Sequence, residues 1–268
     1  MLERKRLRKY LSDLGPSAVA FSGGVDSGLL LALAHEAYPE QTRALTIAFR
    51  FSSETDLKKA QDFCTERKIA QTVIEVDELE IPGFSENTPE RCYHCKRSIF
   101  SRMQELSDDL GLKLIEGSNV DDRNDFRPGI RALREINITS PFVDCRINKR
   151  TIRSLACELG LEMAKTPSKP CLATRFPYFE CLDAGKLARV KDAEAYLESL
   201  GFREFRVRSH ADLARLELST EEWEHLKEPG LRSELNSALR QLGYQYVSLD
   251  LDFLKSGSMN RVLNDRPD

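Results

Sequence analysis

The sequence lacks the features of a membrane-spanning or secreted chain. Its longest apolar run, GLLLALAHEAY, is far shorter than the roughly 20 residues that cross a bilayer. The first residues, MLERKRLRKYL, are charged and amphipathic, without the apolar core and cleavage site of a signal peptide. We therefore expect a cytoplasmic protein with no membrane association. In that reducing compartment its seven cysteines are expected to be thiols, ligands or catalysts rather than disulfides.

A large excess of positive charge is also missing. The 268 residues include 40 Lys and Arg against 43 Asp and Glu, a net charge of -3. This balance excludes a protein whose whole surface binds nucleic acid, although a local basic groove would not change the sum. The length suits either one large domain or a core domain with a second, smaller one, and we favour two domains.

Short apolar segments alternate with helical ones up to about residue 166, which predicts parallel βαβ units. The predicted strands are 17–21, 44–49, 71–76 and 113–117, and the predicted helices lie near 26–37, 53–67, 90–110 and 148–159. Such α/β sheets bind ligands at the carboxyl ends of their strands.

A proline-rich segment, TPSKPCLATRFPY at 166–178, interrupts this alternation and is typical of an ordered loop or hinge. After it the pattern predicts a helix, two strands in FREFRVRSH and ARLELS, another helix and a last strand in YQYVSLDLDF. The predicted organisation is an α/β domain (1–166), a hinge with Cys171 (167–180) and a smaller α+β domain for substrate binding and oligomerisation (181–268).

The segment AVAFSGGVDSG, residues 18–28, places two glycines and two serines directly after an apolar strand. Glycines let successive backbone N–H groups surround an anion, and the helix predicted to begin near Asp26 adds the positive end of its dipole. Asp26 would repel phosphate unless Mg²⁺ lay between them, so the pattern favours a metal-assisted pyrophosphate site. It does not fit the GxxxxGK[ST] template of NTPases that cleave the γ-phosphate. A plain glycine turn between strand and helix is the alternative.

The loop resembles the PP-loop of the ATP pyrophosphatases, which cleave ATP between the α- and β-phosphates and adenylate an oxygen of their substrate. EGSNVDD, residues 116–122, follows the fourth predicted strand, where members of that superfamily carry a similar segment lining the nucleotide pocket. The resemblance implies an adenine nucleotide alpha hydrolase-like domain that uses ATP and Mg²⁺. It assigns ATP binding to Ser22, Gly23, Gly24, Val25, Asp26, Ser27, Gly117 and Asn119.

Three cysteines form a candidate metal site. RCYHCKRSIF places Cys92 and Cys95 near a helix start, and Cys171 lies in the predicted hinge. A structural zinc site needs four ligands, and the sequence has no second CxxC, although His94 or Cys181 would complete one. Three thiolates can instead hold a [4Fe–4S] cluster with one iron left open. Helix cysteines and a buried thiol without any ligand role are the remaining alternative.

Five segments together, SGGVDS, RCYHCK, GSNVDD, KPCLATRFPY and FRVRSH, are similar to the LarE family of ATP-dependent sulfur transferases, over nearly the whole chain. That family adenylates a carboxylate of pyridinium-3,5-biscarboxylic acid mononucleotide and replaces oxygen by sulfur, on the way to the nickel-pincer nucleotide cofactor of lactate racemase. The resemblance makes Cys171 the sulfur-bearing residue. Some members lose that sulfur and keep dehydroalanine, whereas others bind a [4Fe–4S] cluster through three cysteines. The CxxC favours a cluster on Cys92, Cys95 and Cys171, and sacrifice of Cys171 stays open.

The reaction needs activation because a carboxylate would have to expel oxide, whereas an acyl-adenylate expels AMP. Lys96 follows the CxxC and Arg175 lies four residues from Cys171, so both are candidates for contacting the reacting groups, with solvated or structural roles as alternatives. The candidate catalytic residues are Cys171, Asp26, Lys96 and Arg175.

Alternation in FREFRVRSH puts Arg206 and Arg208 on one strand face, a two-pronged cation suited to a mononucleotide phosphate. An exposed strand face is the alternative reading of that pattern. Glu194 and Glu217 are acids whose role, at substrate or at metal, the sequence does not decide.

Two other functions compete with sulfur transfer to a small nucleotide. A tRNA-thiolating enzyme predicts a strongly basic face, which STEEWEHLKEP dilutes. A non-catalytic nucleotide-binding module with structural zinc would bind ATP without releasing pyrophosphate. The expected partners are the pyridinium mononucleotide, further copies of the chain in a homo-oligomer and other enzymes of nickel-pincer cofactor assembly. Nucleic acid is not expected.

Overall fold

The chain divides into two compact units in a computed structural model that describes residues 2–124, 128–165, 170–255 and 257–264. The first unit is Met1–Phe84 with Glu90–Ser168, and the second is Ser85–Pro89 with Lys169–Asp268. Residues 167–169 of the predicted hinge lie outside the described residues. The second unit is therefore assembled from two separate stretches of chain.

A four-stranded parallel sheet with the order β3-β2-β1-β4 forms the framework of the first unit. Its strands are β1 (Ser17–Ala20), β2 (Arg43–Phe49), β3 (Ala70–Val76) and β4 (Lys113–Ile115). The helices of this unit are α1 (Leu2–Leu14), α2 (Val25–Ala37), α3 (Glu54–Glu66), α4 (Arg91–Asp109), α5 (Pro128–Glu135), α6 (Pro141–Asp144) and α7 (Lys149–Glu158). The predicted parallel α/β sheet is confirmed.

Successive strand residues point to opposite faces of this sheet, so both faces carry apolar side chains. Helices cover both faces and bury these side chains. Val19 and Ile115 pack in one core with α1, α2 and α7. Ala18, Leu45 and Leu114 pack in a second core with α4 and α5. After β1 the chain forms β2 and β3 on one side and returns to β4 on the other, so the point where the strand order reverses lies between β1 and β4.

The second unit contains a three-stranded sheet with the order β5-β6-β7. Its strands are β5 (Phe205–His210), β6 (Leu213–Leu218) and β7 (Tyr246–Leu249), and its helices are α8 (Ala184–Ser199), α9 (Thr220–His225), α10 (Leu231–Gln241) and α11 (Arg261–Asn264). Phe205 and Val207 of β5 pack with Leu216 of β6 against α8 and α10. The prediction of a smaller α+β unit is also confirmed.

The stretch Ser85–Pro89 is held to the second unit by hydrogen bonds near Pro177. The Asn87 side chain donates to the Pro177 carbonyl (2.7 Å), and the Asn87 carbonyl accepts from the Phe179 N–H (3.0 Å). The Ser85 carbonyl accepts from the Leu182 N–H (2.8 Å). These bonds tie the residues just before α4 to the segment that follows Cys171.

Helices α1, α5, α6, α9 and α11 were not predicted from the sequence. The sequence does carry a signal for α9, the S-x-x-E capping pattern that begins at Ser219. In the structure Ser219 accepts a hydrogen bond from the Glu222 N–H (3.3 Å), as that pattern requires. Across the residues that the structure describes, no helix is both long and apolar enough to cross a membrane.

Candidate active site

The loop between β1 and α2 is a tight turn closed by its own serines. Ser27 Oγ accepts from the Ser22 N–H (3.2 Å) and donates to the Gly24 carbonyl (3.2 Å). Gly23 has φ +78°, a conformation that favours glycine. Gly24 precedes the first turn of α2, and no described side chain caps that helix. The first N–H groups of α2 therefore remain suited to an anion.

The segment after β4 lies directly against this loop. A Cβ atom added at Gly117 would lie 3.0 Å from the Ser27 backbone nitrogen and 3.1 Å from the Asp26 carbonyl carbon. Beyond it, buried Asn119 accepts from the Asp121 N–H (3.0 Å) through its side chain, which fixes the turn. The two segments predicted to bind ATP are thus in contact at the carboxyl ends of β1 and β4. Their roles toward ATP remain predictions.

Gly117→Ala is expected to displace the loop, because the added methyl group meets backbone rather than a flexible side chain. We expect the free energy of unfolding to fall by about 1–3 kcal/mol and ATP binding to weaken. Thermal unfolding with and without ATP measures both effects. A variant with wild-type stability and wild-type ATP affinity would contradict this prediction, because it would show that the loop accommodates the methyl group.

Lys149, the first residue of α7, forms an ion pair with Asp26 Oδ2. The Lys149 N–H also donates to Asp121 Oδ2 (2.9 Å), so the start of α7 is tied to the segment after β4. Lys149 was not predicted from the sequence, although Asn148 before it caps α7 by accepting from the Thr151 N–H (2.9 Å).

Asp26 offers one oxygen ligand of the kind that Mg²⁺ prefers. Its second carboxylate oxygen, Oδ1, is buried and has no hydrogen-bond partner among the described residues. A carboxylate oxygen beside a phosphate-binding loop is a typical magnesium ligand. The residues present therefore fit a magnesium ion bound together with ATP.

The CxxC lies in the first turns of α4, as predicted. Cys92 is exposed and Cys95 half-buried, and their separation of three residues puts them on neighbouring turns. The stem of Lys96 lies against α5, since a Cβ at Gly129 would be 2.6 Å from Lys96 Cδ. Both cysteines and the lysine belong to the first unit.

The cluster ligands predicted from the sequence are Cys92, Cys95 and Cys171. Within the described ranges, no three His, Cys, Asp or Glu side chains group as a metal ion would need. Cys171 belongs to the second unit, whereas Cys92 and Cys95 belong to the first. The [4Fe–4S] cluster therefore stays a prediction.

Cys171 is exposed at the start of a 3₁₀ turn, Leu172–Arg175, in the second unit. Its carbonyl accepts from the Thr174 N–H (3.0 Å) and hydroxyl (2.7 Å). Arg175 is 2% exposed and donates to both carboxylate oxygens of Glu194 on α8, at 2.6 and 2.9 Å. It also donates to the Pro170 carbonyl at 3.3 Å. Arg175 thus joins this turn to α8 and holds the backbone just before Cys171, and its contact with substrate stays a prediction.

A cationic strand face adjoins that turn. Arg206 and Arg208 lie on the side of β5 opposite the core residues Phe205 and Val207. Arg208 is buried and donates to Glu217 (2.6 Å) and to the Thr174 carbonyl (2.8 Å).

Arg206 lies in surroundings that disfavour its positive charge. Its pKa is lowered to about 10, first by burial and then by the charge of Arg175. A bound dianion would offset both effects. The second unit therefore brings Cys171, Arg175, Arg206 and Arg208 together, and Glu194 and Glu217 are the carboxylates that hold two of these arginines.

Comparison with known proteins decides the family. The Asparagine synthase family matches residues 5–107, which contain the SGGVDS loop. The pyridinium-3,5-bisthiocarboxylic acid mononucleotide synthase of Lactiplantibacillus plantarum is 33% identical over 255 residues, 94% of this chain and 92% of that protein. The chain belongs to the LarE family. It is therefore a PP-loop protein of an ATP-using family.

Two further proteins match this chain over a similar length. An uncharacterised protein of Synechocystis sp. is 37% identical over 266 residues, 98% of this chain and 99% of its own. An uncharacterised protein of Methanocaldococcus jannaschii is 30% identical over 239 residues, 89% of this chain and 90% of its own. The likeness thus extends through both units.

Proposed function

We propose that the protein is an ATP-dependent sulfur transferase that adenylates a carboxylate of pyridinium-3,5-biscarboxylic acid mononucleotide and converts it to a thiocarboxylate. This reaction belongs to nickel-pincer nucleotide biosynthesis. The observation that carries the proposal is the 33% identity to a synthase of the bisthiocarboxylic acid mononucleotide over 94% of the chain. The contact of Gly117 with the phosphate loop supports it.

In the activation step the loop between β1 and α2 holds the phosphates of ATP. A substrate carboxylate oxygen attacks the α-phosphorus, the bond to the β-phosphate breaks, and its electron pair leaves with pyrophosphate. Asp26 would hold a Mg²⁺ ion, which would supply positive charge to the phosphates. Lys96 is the candidate cation for the attacking carboxylate.

In the sulfur step the Cys171 thiolate attacks the acyl-adenylate carbon and AMP leaves, which gives a thioester. Loss of the Cys171 α-proton with cleavage of its Cβ–S bond then yields the thiocarboxylate and dehydroalanine. A [4Fe–4S] cluster on Cys92, Cys95 and Cys171 would instead supply sulfide as the sulfur source. Arg175 keeps the Cys171 turn in place through Glu194.

The cationic face of β5 is the proposed site of the mononucleotide phosphate, with Arg206 and Arg208 as its ligands. Arg206→Ala is expected to weaken binding of the pyridinium mononucleotide ten- to a hundred-fold, about 1.5–3 kcal/mol, and to leave ATP binding unchanged. Isothermal titration measures both affinities. Arg203→Ala, at an exposed residue three positions earlier, is the matched control for lost charge.

Arg208→Ala is a poorer test because it also removes a partner of buried Glu217 and destabilises the unit. Unchanged mononucleotide affinity in Arg206→Ala would contradict the assignment of this face. Tight, salt-dependent tRNA binding that Arg206→Ala abolishes would instead support a tRNA-thiolating enzyme.

The proposed reaction is tested by its products. Protein incubated with ATP, Mg²⁺ and pyridinium-3,5-biscarboxylic acid mononucleotide should release AMP and pyrophosphate only when the mononucleotide is present. Mass spectrometry should show the exchange of one oxygen for sulfur in that mononucleotide. Substrate-dependent ADP and phosphate, with no sulfur-bearing product, would overturn the proposal.

A further inference from the structure

Lys149 is a cation within contact of the proposed phosphate site that the mechanism above does not use. Its ammonium group pairs with Asp26 Oδ2, one residue before Ser27, whose hydroxyl closes the loop. The two paired residues are 123 positions apart in sequence and meet because α7 packs beside α2. The lysine therefore reaches the edge of the sheet where ATP is proposed to bind.

The base of this lysine is fixed while its end can move. Its N–H is held by Asp121 (2.9 Å), and Asn148 caps the helix that it begins. The side chains of Lys149 and Asp26 are 34% and 27% exposed, so their pair is partly solvated and weakly held. A flexible four-carbon stem lets the ammonium group change partners without any movement of α7.

Asp26 cannot serve the lysine and a magnesium ion equally. A Mg²⁺ ion bound at Asp26 would repel the positively charged ammonium group of Lys149. At the same time the phosphates bring negative charge to the loop beside it. The position of lowest electrostatic energy for the ammonium group then shifts from the carboxylate to the phosphates.

We propose that Lys149 is a further catalytic residue whose ammonium group leaves Asp26 when ATP and Mg²⁺ bind and contacts the β- and γ-phosphates. It stabilises the charge that the departing pyrophosphate gains as the bond between the α- and β-phosphates breaks. The lysine stays protonated throughout and no proton is transferred. This inference rests on the proposed use of ATP by the loop.

Lys149→Met tests the contact by binding as well as by rate. With Mg²⁺ present, affinity for α,β-methylene ATP should fall ten- to a hundred-fold, whereas affinity for AMP should stay within about three-fold. Substrate-dependent pyrophosphate release should fall roughly a hundred-fold. Lys149→Arg should recover most of the analogue affinity. Arg150→Met, which removes the same charge from the exposed next residue, should bind the analogue as the wild type does.

Wild-type analogue affinity in Lys149→Met, or equal losses for analogue and AMP, would overturn the inference. Failure of the wild-type protein to bind the analogue would overturn both the inference and the use of ATP by the loop. A wild-type protein that binds the analogue but never converts the pyridinium mononucleotide would refute the proposed function alone. The binding comparison would then still decide the role of Lys149.

Discussion

Replacing Asp26 by asparagine is expected to lower the rate of substrate-dependent pyrophosphate release by roughly a thousand-fold or more, about 4 kcal/mol of transition-state stabilisation. The amide has the shape of the carboxylate but no charge with which to bind Mg²⁺. The serine bonds that close the loop do not involve Asp26, so the turn should persist. The pair with Lys149 is partly exposed, so its loss should change the free energy of unfolding by no more than about 1 kcal/mol.

Pyrophosphate release and thermal unfolding, measured on the same preparation, separate catalysis from folding. Asp77→Asn is a suitable control, because Asp77 follows β3 at the same edge of the sheet and pairs with Arg50. We expect its activity to stay within about three-fold of the wild type. Its free energy of unfolding should fall by at most about 1 kcal/mol, because the lost ion pair is partly exposed. An Asp26→Asn enzyme with more than a tenth of wild-type activity would contradict a metal role for Asp26.

Cys171→Ala is expected to abolish formation of the thiocarboxylate while substrate-dependent pyrophosphate release continues within about ten-fold of the wild-type rate. In the proposed reaction the sulfur atom acts only after the adenylate has formed, and the residues predicted to bind ATP belong to the first unit. The turn should keep its shape, because Thr174 binds the Cys171 carbonyl. Product mass and pyrophosphate release are the two readouts. Cys181→Ala, another exposed cysteine of the second unit, should behave as the wild type does.

The mass of the protein after turnover identifies the sulfur source. Dehydroalanine at residue 171 after one turnover would show that the cysteine is consumed. Repeated turnover with an unchanged protein mass would favour the cluster. Iron should then be lost on replacement of Cys92, Cys95 or Cys171 by alanine. Full sulfur transfer by Cys171→Ala would remove this cysteine from the mechanism altogether.

The sequence predicts the sheet of the first unit well because its signals are local. Strand β1, the glycines after it and helix α2 occupy one short stretch, and the same holds for β4 and the segment at Gly117. Lys149 was not predicted because its pairing with Asp26 depends on the packing of α7 beside α2, and nothing in the residues NKR distinguishes it from a solvated lysine.

The arginines of β5 show the same limit on prediction. Alternation correctly put Arg206 and Arg208 on one face, but it does not specify the register of the neighbouring strand. In the structure Arg206 lies opposite Glu217, and Arg208 lies opposite Arg215. Arg208 nevertheless forms its ion pair diagonally with Glu217. The two arginines therefore differ in burial and partners although the sequence presents them as equivalent.

The second unit is built from two separate stretches of chain, and this limits where the chain can be cut into independent fragments. A fragment that stops at residue 168 would contain Ser85–Pro89 but not Pro177, Phe179 and Leu182, which bind that stretch. The unsupported residues would then lie immediately before α4, the helix that carries the CxxC. The complementary fragment would lack the side chain of Asn87, which is fully buried. Two co-expressed halves split near residue 168 would therefore have to reassociate through Ser85–Pro89 before either was complete.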